Sequence, residues 1–185
     1  MLEAFLVSAG LVALAEVGDK TQLLSLVLAA RFRKPWPIVA GILVSTLLNH
    51  ALAGAAGAWI TTMIGADAMT KIVGISFLAM AAWILVPDKL DESGAQRNLG
   101  GIFVTTAILF FIAEMGDKTQ IATVMLAARY PSLAGVVLGT TAGMLLANVP
   151  VVFFGDAIAK RVPLGIVRKV TAVAFAALGV LALLA

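Results

Sequence analysis

The sequence contains no cysteine, and it contains only one histidine and one tyrosine among its 185 residues. Without cysteine, the chain has neither disulfide bonds nor thiolate ligands for a metal ion. Charged residues are also scarce at 12%, whereas apolar residues make up 62%. This composition excludes an ordinary soluble domain and predicts one small integral membrane domain.

Basic residues outnumber acidic residues, and the formal net charge is +3. The excess does not indicate a nucleic-acid partner, because the basic residues lie in short loops between apolar runs, as is typical of membrane topology. The predicted environment is therefore a lipid bilayer, with no nucleic acid and no cofactor.

Six apolar runs approach the length of about 20 residues that a helix needs to cross a bilayer. They predict an all-α integral membrane protein with six transmembrane helices. The predicted helices span residues 4–30, 37–60, 68–86, 101–128, 133–155 and 163–185.

One motif occurs twice, at an offset of 98 residues. Residues 15–22 read Ala-Glu-Val-Gly-Asp-Lys-Thr-Gln, and residues 113–120 read Ala-Glu-Met-Gly-Asp-Lys-Thr-Gln. From Ala15 to Arg31, 11 of 17 positions are identical to their counterparts. Because the same offset aligns residues in the later helices without a gap, it predicts an internal duplication.

The duplication predicts two repeats, 1–86 and 101–185, joined by a polar linker at 87–100. Each repeat contains three predicted helices. Since three is odd, the second repeat enters the membrane from the opposite side. The result is an inverted 3+3 repeat, an arrangement of secondary transporters that bind their substrate near the membrane midplane.

Lysine and arginine in the predicted loops are unevenly distributed between the two sides. One side carries only Lys71 and Arg129. The positive-inside rule makes the other side cytoplasmic and places both termini outside. The nine basic residues of that side are Arg31, Arg33, Lys34, Lys89, Arg97, Lys160, Arg161, Arg168 and Lys169.

Each copy of the motif places two carboxylates, one ammonium, one hydroxyl and one carboxamide in an apolar run. An ionisable group at the centre of a membrane helix costs about 2.5–3.5 kcal/mol on insertion scales, so such groups mark functional sites. Oxygen ligands favour hard cations such as Ca²⁺, Mn²⁺ or Mg²⁺. The predicted metal ligands are Glu16, Asp19, Gln22, Glu114, Asp117 and Gln120.

The geometry depends on whether the motif is helical. In a continuous helix, Glu16, Asp19 and Gln22 form one oxygen-bearing ridge, and Thr21 points elsewhere. The first and fourth predicted helices are longer than a bilayer requires. The sequence leaves open whether they tilt or break at Gly18 and Gly116.

The summed charge of the motif residues indicates which ions the site exchanges. Four carboxylates and two lysines sum to −2, which one divalent cation or two protons would neutralise. Burial and crowding both favour protonated carboxylates, so protons and metal compete. We expect Lys20 and Lys118 to hold the two aspartates and Glu16 and Glu114 to be the exchangeable ligands. Two motif threonines are expected to support them, Thr21 and Thr119.

Further polar residues lie inside the predicted helices. His50 is a candidate proton relay, because imidazole titrates in the physiological range. It is equally a candidate hydrogen-bond partner for a neighbouring helix. Its repeat counterpart is Asn148, and Ser25 and Thr123 are matched candidates for lining the pathway.

The duplicated Glu-x-Gly-Asp-Lys-Thr in a six-helix protein resembles the Ca²⁺/Mn²⁺–proton exchanger family (Gdt-type). Glu16–Thr21 and Glu114–Thr119 both meet the family signature. The resemblance implies a cation antiporter that exports Mn²⁺ and Ca²⁺ from the cytosol, with the motif carboxylates as metal ligands. Because the chain lacks the N-terminal extension of eukaryotic members, it also implies a bacterial plasma-membrane protein.

Four alternatives compete with cation exchange. One is a passive channel, whose flux would not be coupled to a proton gradient. The motifs could form a closed salt-bridge network that only holds helices together. Gly18-Asp19 and Gly116-Asp117 approach the motif of intramembrane aspartyl proteases, but the adjacent lysines oppose the shared proton that such a dyad needs. A small-solute exporter of amino acids, of the lysine-exporter superfamily, would keep the fold. The sequence does not rank Mn²⁺ against Ca²⁺, and it leaves stoichiometry and oligomeric state undetermined.

Overall fold

In a computed structural model of the protein, residues 1–87, 99–155 and 163–184 are described, apart from the side chains of Ala66 and Asp67. Most of these residues are helical, as predicted. Most of the predicted linker at 87–100 lies outside the described residues. Their helices are α1 (Leu2–Glu16), α2 (Lys20–Phe32), α3 (Pro35–Met63), α4 (Ala66–Ile84), α5 (Ile102–Glu114), α6 (Lys118–Arg129), α7 (Leu133–Phe154) and α8 (Leu164–Leu184).

Three of these helices, α3, α7 and α8, are long and apolar enough to cross a membrane. Part of α4 (Ala68–Ile84) and all of α5 form shorter apolar helices. The prediction of an all-helical protein with membrane-spanning segments is therefore confirmed.

The first and fourth predicted helices are both broken inside the repeated motif. Gly18 has φ +79° and Gly116 has φ +72°, in the left-handed region that favours glycine. A tight turn joins each pair of helices, with Asp19 N donating to Glu16 O at 3.0 Å and Asp117 N donating to Glu114 O at 3.1 Å. Of the two alternatives that the sequence left open, the helices break at Gly18 and Gly116, and the oxygen ridge of a continuous helix does not form because each turn redirects the chain between glutamate and aspartate.

Each broken helix packs against an unbroken helix from the other half of the chain. A Cβ atom on Gly139 of α7 would lie 2.5 Å from the carbonyl oxygen of Phe5 in α1. A Cβ atom on Gly41 of α3 would lie 2.9 Å from the carbonyl oxygen of Phe103 in α5. The two contacts are related by the offset of 98 residues, and small residues permit this close approach.

The last helices of the two halves, α4 and α8, pack on each other. The rings of Phe77 and Phe175, which are also counterparts, have centroids 6.0 Å apart. A Cβ atom on Gly74 would lie 2.5 Å from Leu183 Cγ. The buried motif residues lie between this helix pair and the helices α3 and α7.

The two glycine turns should differ in their tolerance of a side chain. A Cβ atom on Gly18 would lie 2.7 Å from Leu164 Cδ2, whereas one on Gly116 would meet nothing within 4 Å. We expect Gly116→Ala to lower the free energy of unfolding by about 1–2 kcal/mol, the cost of a left-handed conformation. Gly18→Ala should cost more, because Leu164 must also move.

Equilibrium unfolding in mixed micelles would measure both changes. In a Leu164→Ala background, Gly18→Ala should lower the free energy of unfolding about as much as Gly116→Ala does, because Leu164 no longer obstructs the added side chain. Equal costs for the two single substitutions would contradict the asymmetry.

Candidate metal site

A single carboxylate accepts hydrogen bonds from hydroxyl groups of both halves of the chain. Glu16 lies at the carboxyl end of α1 and is fully buried. Its two oxygens accept hydrogen bonds from Thr21 Oγ1 and Thr119 Oγ1. Thr21 reaches Glu16 because the turn at Gly18 reorients α2, so the threonine does not point away as it would in a continuous helix. Both motif threonines thus converge on one side chain.

Three buried carboxylates lie around this point. Glu16, Asp19 and Asp117 each offer one oxygen, and these oxygens lie within 4.8 Å of one another. The two aspartates are the N-caps of α2 and α6, and Thr119 N donates to Asp117 Oδ2 at 3.4 Å. The positive ends of two helix dipoles therefore partly offset the acidic charge. Grouped oxygen ligands of this kind suit a hard divalent cation.

A lysine links the two halves across this cluster. Lys20 Nζ lies 2.8 Å from Asp117 Oδ1, so the ammonium of the first motif pairs with an aspartate of the second. Lys118 Nζ donates a hydrogen bond of 2.8 Å to Val86 O and lies 5.9 Å from the centroid of the Trp83 ring. Lys118 therefore also ties the motif to the carboxyl end of α4.

The two motif glutamines have matching contacts at the glycine turns. Gln22 Oε1 accepts a hydrogen bond of 2.9 Å from Gly18 N, and Gln120 Oε1 accepts one of 2.7 Å from Gly116 N. Both carboxamide oxygens, which the sequence predicts as metal ligands, thus bind the backbone of the turns. In this arrangement the two glutamines stabilise the turns from which the aspartates project.

The other end of each carboxamide reaches the opposite half. Gln22 Nε2 donates to Ala147 O at 3.1 Å, and Gln120 Nε2 donates to Asn49 Oδ1. Positions 49 and 147 are counterparts, so the two glutamines dock at equivalent points. Asn49, which also donates to Phe111 O at 3.3 Å, was not predicted as a site residue. The one available signal was a carboxamide beside His50 inside an apolar helix.

Glu114 has different surroundings from its counterpart Glu16. It is fully buried, and its Oε2 lies 3.8 Å from His50 Nε2. Within the described ranges, neither Glu114 oxygen and neither His50 ring nitrogen has a hydrogen-bond partner. The structure therefore brings His50 to Glu114, which is outside the group of three clustered carboxylates.

The residue equivalent to His50 is fully hydrogen-bonded. Asn148 Oδ1 accepts a hydrogen bond of 2.8 Å from Ser25 Oγ, and its Nδ2 donates to Met144 O at 3.0 Å. Thr123 Oγ1 donates to Thr119 O at 2.8 Å within its own helix. The two halves of the site are thus chemically unequal, although their motifs are nearly identical.

Buried carboxylates and lysines among apolar helices are typical of membrane proteins that bind or conduct ions. The fold and the site therefore define a membrane protein with a candidate cation site. The chain belongs to the divalent cation/proton antiporter family GDT1, whose family model matches residues 4–92 and 102–185.

Several curated proteins are similar to this chain along most of their length. A Vibrio cholerae protein named "Putative manganese exporter" is 54% identical over 175 residues, covering 93% of this chain and 86% of the relative. A GDT1-like protein of Synechocystis is 31% identical, covering 88% and 87%. A GDT1-like protein of Oryza sativa is 24% identical, covering 95% and 71%. No solved structure matches the chain.

Membership of this family confirms the resemblance found in the motif. The protein is a secondary cation/proton antiporter, not an enzyme. The protease and amino-acid-exporter alternatives are thereby rejected.

Proposed function

We propose that the protein exchanges Mn²⁺ for protons and moves Mn²⁺ out of the cytosol. The observation that carries this proposal is the buried oxygen cluster of Glu16, Asp19 and Asp117, to which both halves of the chain contribute. The cluster has only oxygen ligands, which suits Mn²⁺ as well as Ca²⁺. The name of the Vibrio cholerae relative supports Mn²⁺ as the exported ion.

The contacts suggest a role for each motif residue. Glu16, Asp19 and Asp117 bind the cation, and the threonine hydroxyls hold Glu16 in place for it. The two lysines limit the repulsion between the carboxylates. Gln22 and Gln120 maintain the glycine turns, which set the positions of the aspartates.

Glu114 and His50 are the proposed proton-carrying pair. They are buried beside each other and lack hydrogen bonds to the residues described here, so each can gain a bond by taking up a proton. Ser25, Asn148 and Thr123 are proposed to line the transport pathway.

We also propose that the protein crosses the membrane six times as an inverted repeat. One line of support is the direction of α1 relative to α7. Gly139 faces Phe5 and Gly143 faces Ala9, so the residue numbers rise together and the two helices run parallel.

A second line of support is that α3 and α5 also run parallel, since Gly41 faces Phe103 and Asn49 binds Phe111 O. Only residues 33–34 separate α2 from α3, a connection short enough to favour reversal. Beyond the contacts of α1 with Gly139 and Gly143, α2 continues along α7, since Gln22 binds Ala147 O and Ser25 binds Asn148. The counterparts α1 and α5 would then run in opposite directions. With the basic side in the cytoplasm, both termini would face outward across a bacterial plasma membrane.

Transport by purified protein in proteoliposomes would test the exchange. Mn²⁺ supplied outside should enter the vesicles and make the lumen more alkaline, because protons leave as the metal enters. Ca²⁺ supplied in parallel would rank the two ions, and empty liposomes would control for leakage. Mn²⁺ entry without a pH change would contradict proton exchange, whereas movement of Ca²⁺ but not Mn²⁺ would contradict the proposed substrate.

A further inference from the structure

The first turns of α8 cover the glycine turn of the first half. Leu164 is the residue that a Cβ atom on Gly18 would strike, at 2.7 Å. About two turns later, Thr171 Oγ1 donates a hydrogen bond of 3.1 Å to Leu14 O, near the end of α1. The amino-terminal half of α8 therefore closes over the site from one side.

Beneath this cover lies a very small cavity, of about 10 Å³. A cavity of this size holds about one water molecule. Asp19, Lys118 and Arg168 all line it. Arg168 therefore borders the same small space as Asp19, one of the clustered aspartates. Neither the motif nor the roles proposed above include this arginine.

The other half of the chain does not repeat this arrangement. The counterpart of Arg168 is Thr70, which carries no charge. Thr70 lines a much larger cavity of about 370 Å³, together with Ala128 and Arg129 at the end of α6. The turn at Gly116 has room for a Cβ atom with nothing within 4 Å. Among the described residues, a helix-borne cation, Arg168, lines the cavity at the first glycine turn, and its counterpart in the other half is uncharged.

We propose that Arg168 is a tethered counter-cation that competes with the transported metal for the acidic cluster. This inference rests on the proposed function and adds a residue to it. Four carboxylates and two motif lysines sum to −2, and Arg168 brings the sum to −1. A divalent cation would then leave an excess of +1, so the metal binds better when α8 withdraws the arginine. Arg168 thereby links the position of α8 to occupancy of the site.

Mn²⁺ binding to purified protein in detergent tests this directly, with free Mn²⁺ measured by electron paramagnetic resonance. We expect Arg168→Gln to bind Mn²⁺ about tenfold more tightly, because it removes a nearby positive charge. Arg168→Lys should bind like the unmodified protein. Lys169→Gln is the matched control: the neighbouring lysine is exposed, so its effect should stay below about twofold.

The outcomes separate this inference from the proposed function. If the unmodified protein binds Mn²⁺ and folded Arg168→Gln binds it no more tightly, the role of Arg168 is wrong and the exchange proposal survives. If the unmodified protein binds no Mn²⁺, both are wrong.

A second measurement uses the absence of cysteine from the chain. In Leu164→Cys, the new thiol is the only one, and a water-soluble maleimide reports how often α8 exposes it. Mn²⁺ should speed labelling, and Arg168→Gln should speed it without metal. Labelling rates that respond to neither change would overturn the proposed coupling.

Discussion

Glu16→Gln should abolish Mn²⁺-driven proton movement and weaken Mn²⁺ binding by more than about 100-fold. Loss of an outer-shell partner of a metal ligand already costs 10–100-fold in affinity, so loss of a charged ligand should cost more. Glu16 is the carboxylate on which both motif threonines converge, and it belongs to the only group of three acidic residues found clustered in the described part of the chain. Proteoliposome transport and Mn²⁺ binding in detergent would measure the two effects separately.

Two further substitutions sharpen this test. Glu3→Gln makes the same chemical change in a different glutamate, at the exposed start of α1, and should leave transport unchanged. Glu114→Gln should preserve most Mn²⁺ binding and lose proton movement, because Glu114 lies beside His50 and is not one of the three clustered carboxylates. Equal loss of Mn²⁺ binding in Glu16→Gln and Glu114→Gln would contradict the division of roles and favour two equivalent ligands.

Lys20→Met should be among the most destabilising single substitutions in the chain. It leaves Asp117 buried without the ammonium that lies 2.8 Å from it. Breaking a buried ion pair by removing one partner typically costs about 3–5 kcal/mol, and we expect the lower end because the Lys20 side chain remains 23% exposed. The free energy of unfolding in mixed micelles is the quantity to measure.

A double-mutant cycle would isolate the pair. Combining Lys20→Met with Asp117→Asn should restore part of the lost stability, because the uncompensated charge is then gone. Lys71→Met removes an exposed lysine from α4 and serves as the control, with little expected change. Strictly additive losses in the double variant would show that Lys20 and Asp117 do not stabilise each other.

The ion pair between Lys20 and Asp117 also shows how much of the site could be predicted from the motif sequence alone. The sequence predicts that the motif lysines hold the aspartates, and its repeat places both motifs in one site. It does not identify which lysine binds which aspartate. Lys20 pairs with Asp117 of the other half because the halves pack against each other, and the spacing of residues within one motif contains no information about that contact.

The glycine turns limited the prediction in a second way. Glutamate, aspartate and glutamine at every third position fall on one face only if the helix continues. With the chain turning at Gly18, Thr21 instead reaches Glu16, and Gln22 binds the turn itself. A glycine is compatible with either conformation, so the local sequence could not decide between them.

By itself, the sequence determined the membrane environment, the internal duplication and the oxygen chemistry of the site. These depend on composition and on residues repeated along the chain, and the family assignment agrees with a membrane protein that transports cations. Only the tertiary structure decided that Glu16 and Glu114 are unequal, that Asn49 supports the second turn and that Arg168 of α8 lines the same small cavity as Asp19. Two nearly identical motifs differ here because their surroundings come from helices of the opposite half, and those helices carry different residues at matching positions.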